Sequence, residues 1–153
     1  FFLNQFWPKS KLFNGWKMGD FNHKAEMSVD QTAGAAFIIK KELFDKLCGF
    51  DESFPMFFSD VDLCKRVKNL NLDIFYTIKS KMIHIGGSSI YKYKISSIIT
   101  SSISLIRFFF KHYNSKFNFI LNILYSCLLI PIIIVRIVKS LILPRKLFQR
   151  ETL

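Results

Sequence analysis

Cysteine is scarce and unpaired in this chain: Cys48, Cys64 and Cys127 are three among 153 residues, an odd number with no close spacing. Neither a disulfide framework nor a zinc knuckle is indicated, and a reducing cytosol fits such usage best. Acidic residues are nearly missing from the second half, where 91–153 carry one Asp/Glu against ten Lys/Arg, while 1–90 carry ten against twelve. An initiator Met and a signal-peptide pattern are also lacking. The opening Phe1-Phe2-Leu3 falls mid-pattern and reads as the start of a C-terminal piece of something longer.

What is abundant is apolar surface. Half the residues are hydrophobic, 18 of them Phe, which is high for a small soluble domain and points to a membrane-facing part. The net charge of +11 accumulates in the same apolar half. Basic residues beside greasy segments fit anionic lipid head groups, each contributing roughly 1 kcal/mol near the surface. A polynucleotide-binding face would not alternate with runs such as Leu128-Leu129-Ile130, so nucleic acid is not an expected partner.

Residues 1–30 mix aromatics with Pro8, Gly15 and Gly19 without a sustained period and read as a loop-rich lobe. Thr32 to Ile39, small and apolar with β-branched ends, predicts a buried strand. Lys40 to Cys48 carries Leu43, Phe44 and Leu47 at helical spacing, and Gly49 fits the φ > 0 position just past a helix end. Ser59 or Asp60 is the expected N-cap of a helix running to about Leu70. Its acids (Asp60, Asp62) lie early and its bases (Lys65, Arg66, Lys68) late, the order a helix dipole favours. Asp73 to Ile78 and Lys81 to Ile85 predict short strands, followed by a turn at Gly86-Gly87-Ser88-Ser89.

From Ile95 the pattern changes. Ile95, Ile98, Ile99, Ile103 and Ile106 recur at helical spacing, with Ser97, Thr100, Ser101 and Ser104 on the other face, predicting an amphipathic helix suited to a bilayer interface. Phe117 to Val135 then runs 19 residues without a charge. That length is enough for a hydrocarbon core of roughly 30 Å, although Asn118, Asn122, Ser126 and Pro131 weaken it. Both ends are basic, so no orientation follows, and a span, a re-entrant segment and an in-plane helix stay open.

The chemistry-bearing stretch is Phe50 to Arg66. It sets Asp60 and Asp62 among Phe57, Phe58, Val61 and Leu63, and carboxylates beside aromatics are costly unless they accept protons, bind metal or cap a helix. Helix capping is the plain alternative for Asp60, and a structural role the plain alternative for His84. His23 and His112 read as structural or interfacial.

Ordered motifs extend this reading. Met18-Gly19-Asp20-Phe21-Asn22-His23, Val29-Asp30, Gly34-Ala35, Lys40-Lys41, Gly49-Phe50-Asp51-Glu52, Asp60-Val61-Asp62-Leu63-Cys64, Arg66 and His84-Ile85-Gly86-Gly87-Ser88 follow one another at spacings that resemble the acceptor half of family 2 glycosyltransferases of the rhamnosyltransferase-like kind. The resemblance covers about residues 15–113. It implies an α/β, partial GT-A-like domain over 1–90, lacking its nucleotide-binding half, followed by a helical membrane-associating tail over 91–153.

By that resemblance Asp60 is the general base that deprotonates an acceptor hydroxyl, a role worth ~10² to 10⁴-fold in rate. Asp62 holds the loop or an acceptor hydroxyl, Gly34, Ala35 and Ser59 border the substrate, and His84 completes a Mg²⁺ or Mn²⁺ site. The implied activity is inverting transfer of a hexose or deoxyhexose, rhamnose among them, from a nucleotide-sugar donor to a lipid-linked or surface-glycan acceptor. The implied place is the cytoplasmic face of the cell membrane. Two departures stand out: Ser59 replaces the first acid of the usual Glu-Asp pair, and Asn69-Leu70-Asn71 replaces an Ala-Gly. No βαβ start and no Asp-x-Asp precede Gly34, so this chain alone is not expected to bind a nucleotide sugar well. A non-catalytic membrane adaptor and an inactive truncated remnant are the alternatives.

Overall fold

The computed structural model describes residues 24–84 and 93–142. The motif Met18 to His23, the Gly86-Gly87-Ser88-Ser89 turn and the 1–23 part of the loop-rich lobe lie outside the described residues. Contacts divide the chain into two compact units, one holding 24–29 and 75–81, the other 30–74, 82–84 and 93–142. These units follow contact rather than composition, since the tail from residue 93 shares a unit with 30–74.

Strand β1 (Met27–Val29) pairs with β2 (Ile74–Tyr76) in a two-stranded sheet. Thr77 Oγ1 donates to Glu26 Oε1 at 2.6 Å just beyond the pair. β2 lies inside the strand expected at 73–78. β1 was not foreseen, because three residues are too few to show an alternation.

The second unit is helical. Helix α1 (Lys41–Lys46) ends in a Schellman arrangement, with the Gly49 amide donating to the Phe44 carbonyl and the Cys48 amide to the Asp45 carbonyl, both at 2.9 Å. Gly49 has φ +68°, as expected, but Cys48 before it is also left-handed at +57°. A Cβ on Gly49 would sit 3.4 Å from the Phe44 ring, so glycine also serves the close approach.

Helix α2 (Ser59–Asn69) follows and buries Asp62, Leu63, Cys64 and Val67. Asn71, at φ +57°, closes its C-terminus by donating to the Lys68 carbonyl. Asparagine is one of the few residues besides glycine that tolerate the left-handed region.

Thr32 to Ile39 is not a strand: it bends through a turn in which the Ala36 amide faces the Ala33 carbonyl. A strand needs a neighbouring backbone to pair with, and this segment instead gives its Gly34 amide to a side chain of α2. Nor is Lys81 to His84, the described part of the expected strand at 81–85, paired in a sheet.

Helix α3 (Lys94–His112) and helix α4 (Lys116–Ile142) form a hairpin joined by 113–115. Asn122, buried in α4, donates to the Phe109 and Tyr113 carbonyls at 3.3 and 2.9 Å, tying α4 to the end of α3. The Phe109–Tyr125 and Phe110–Phe119 ring pairs fasten the same end.

α3 is amphipathic as read, but its serine face does not look to solvent. Ser97, Ser102 and Ser104 are buried, while Ile95, Ile99 and Ile103 are 39–49% exposed. Small serines allow close helix approach, and Ser102 settles its hydroxyl on the Ile98 carbonyl at 2.8 Å. At 27 residues α4 is about 40 Å long, more than a bilayer core requires. Only 11% of its most apolar stretch is buried, so it is not a core helix of the described structure.

Candidate functional site

The loop Asp51 to Phe58 delivers the chain into α2 through an unusual turn. Phe58, the residue before the helix, is left-handed at φ +69° and offers no side-chain cap. For an aromatic residue this conformation costs roughly 1–3 kcal/mol and persists only if neighbours hold it. The Phe108 ring of α3, 5.6 Å away, packs against it.

The turn makes Ser59 the first and Asp60 the second helical residue, so neither is the N-cap that the charge pattern suggested. Asp60 Oδ1 nonetheless accepts from the Val61 amide at 2.9 Å, and Oδ2 accepts from the Gly34 amide at 2.7 Å. Two amides thus fix both oxygens of a half-buried carboxylate, leaving further lone pairs for a hydroxyl. Gly34 is needed by proximity: a Cβ there would meet Asp60 Cβ and Oδ2 at 3.3 Å.

Asp62 has a different environment. It is fully buried and accepts from Arg66 Nε at 2.8 Å on Oδ2, while Lys111 Nζ lies 2.6 Å and His112 Nε2 2.8 Å from Oδ1. Lys111 also reaches Asp51 Oδ2 at 2.7 Å. Arg66 sends its remaining nitrogens to the Leu47 and Gly49 carbonyls, tying in the end of α1.

Burial pushes the Asp62 carboxyl up, but the hydrogen bonds from Lys111, His112 and Arg66 outweigh it and hold the group below the ordinary carboxylate value. Lys111, then Ser53, hold Asp51 well below its ordinary value too. Of the two roles expected for Asp62, holding the loop accords with its full burial. Burial also pushes the neighbouring Cys64 thiol up, against a contact from the Thr32 backbone, and the Asp60 charge adds to the rise, which disfavours the thiolate.

The other expected site residues are distributed unevenly. Gly34 and Ala35 are exposed beside Asp60, and Ser59 adjoins it at the helix start. His84 is exposed, and no group of three or more His, Cys, Asp or Glu that could hold a metal occurs among the described residues. A single imidazole does not make a Mg²⁺ or Mn²⁺ site, so His84 would need further ligands from beyond the described residues. Sequence reasoning missed Lys111 as a partner of both Asp51 and Asp62. Its basic-aromatic context, Phe108 to Tyr113, was the available signal. The chain matches no family model, no curated protein sequence and no solved structure.

Proposed function

We propose that the chain is the acceptor-side part of an inverting family 2 glycosyltransferase, partial GT-A-like in fold, with Asp60 as general base. The observation that carries the reading is the 2.7 Å contact between the Gly34 amide and Asp60 Oδ2. Two motifs of the ordered set, 26 positions apart, meet around a half-buried carboxylate, whereas the nearby Asp62 is fully buried among Arg66, Lys111 and His112.

In this reading an acceptor hydroxyl rests against Asp60 with Gly34, Ala35 and Ser59 alongside. Asp60 takes the hydroxyl proton as its oxygen bonds to the anomeric carbon. The bond from that carbon to the nucleoside diphosphate breaks on the opposite face, which inverts the configuration. Bound Mg²⁺ or Mn²⁺ would neutralise the leaving diphosphate, with His84 as one ligand beside others from a nucleotide-binding half. The donor is a nucleotide-linked hexose or deoxyhexose such as rhamnose, and the acceptor a lipid-linked or surface glycan. Basic, apolar α3 and α4 keep the site at the cytoplasmic face of the membrane, where a polyprenyl-linked acceptor presents its sugar.

A second reading, a non-catalytic membrane adaptor or inactive remnant, draws on the exposed apolar length of α4 alone. Membranes containing the protein from its complete reading frame, incubated with nucleotide-linked hexoses and deoxyhexoses, separate the two. Sugar transferred to lipid extract or glycan with inverted configuration supports the enzyme. Retained configuration rejects the mechanism, and transfer from none of the donors, with membrane binding intact, favours the adaptor.

A further inference from the structure

α3 grips both ends of the loop that leads into Asp60 and α2. At the loop's beginning, Arg107 donates to the Ser53 carbonyl, and Lys111 reaches Asp51 and lies 5.5 Å from the centre of the Phe54 ring. At its end, Phe108 packs on the left-handed Phe58, and Lys111 and His112 meet Asp62. Asp60 lies between the two held residues of this second grip, Phe58 and Asp62, two positions past the strained Phe58.

The same end of α3 is bonded to α4 through Asn122. The opposite stripe of α3, Ile95, Ile99 and Ile103, is turned outward.

We infer that the last two turns of α3 are a positioning element that holds the Phe58 turn, and so aims Asp60, making the helical hairpin and the site one mechanical unit. Lys111, Phe108 and His112 are positioning residues, because they reach Asp60 only through the loop and α2. The inference rests on the proposed role of Asp60. Its physical content is that the strained turn relaxes when the grip is released, and a displacement of about 1 Å in a reacting group can cost ~10²-fold in turnover.

The test uses the full chain from its complete reading frame, in vesicles of phosphatidylethanolamine and phosphatidylglycerol. Lys111→Met removes the bridge, Lys111→Arg restores a cation able to span both carboxylates, and Phe108→Leu loosens the turn without deleting charge. The expected result is amide exchange raised ~10-fold or more over 51–62 but not over 116–142 in Lys111→Met and Phe108→Leu. Turnover should fall up to ~10²-fold with acceptor KM changed only a few-fold, and Lys111→Arg should recover most of both.

Unchanged exchange over 51–62 overturns the inference, as does exchange rising evenly along the whole chain, which would mark ordinary destabilisation. If exchange over 51–62 depends on Lys111 while Asp60→Asn leaves turnover intact, the positioning element stands and the base assignment falls. If Asp60→Asn abolishes turnover while the α3 variants change neither measure, the reverse holds.

Discussion

Lys111 Nζ stands 2.7 Å from Asp51 and 2.6 Å from Asp62, so one ammonium group from α3 joins the first residue of the loop to the buried carboxylate of α2. Asp62 has 0% exposure, and its charge is tolerable only because Arg66, Lys111 and His112 surround it. Removing the carboxylate strips Arg66, Lys111 and His112 of the acceptor they share. Asp62→Ala should cost about 3–5 kcal/mol, read as a fall in the thermal midpoint of the detergent-solubilised protein. A loss below about 1 kcal/mol would mean that the network is a surface feature.

Acid should loosen the same contacts. Lys111 and Ser53 depress the Asp51 carboxyl; Asp62 is raised by burial but lowered further by its three donors. A folded carboxyl below its unfolded value of about 3.9 adds stability above that pH and loses it as pH falls toward the folded value. Stability from these groups should therefore be flat from neutrality to about pH 4 and decline below it. Near-UV circular dichroism against pH checks this, and Asp51→Asn should make the decline shallower.

Gly34→Ala should act on Asp60 directly. The added carbon would press on Asp60 Cβ and Oδ2, and because Gly34 is exposed the loop can give way, at a cost near 1 kcal/mol. Turnover should suffer more than stability, since the carboxylate loses an amide. Equal, small changes in both would show that the amide does not orient it.

The buried serines of α3 predict an accessibility pattern. In a Cys48→Ser, Cys64→Ser, Cys127→Ser background, a spin label on Ile99→Cys should be reached by lipid-dissolved oxygen, and one on Ser104→Cys should be shielded. The opposite pattern would return α3 to an interfacial helix with its serines in water.

Legibility in the sequence varied with the range of the interaction. α2 was readable because its charge order and apolar spacing are local, and Gly49 because its backbone demand is local too. The N-cap was misplaced by a residue or two: Phe58 takes a conformation its side chain disfavours, and only the distant Phe108 accounts for that. The strand expected at 32–39 failed because Gly34 bonds to Asp60 instead of a neighbouring strand. Periodicity separated the two faces of α3, but it cannot say which face meets protein. Asp62 looked like a companion of Asp60, and its partners Lys111 and His112 lie 49 and 50 positions away.

The central claim is that Asp60 accepts the acceptor proton, and the turnover of Asp60→Asn tests it most directly. Asparagine keeps the shape and can still accept from one of the two amides that fix Asp60, but it cannot take the proton. In the protein from the complete reading frame, kcat should fall ~10²-fold or more with donor affinity nearly unchanged. A kcat within a few-fold of the parent would contradict the account.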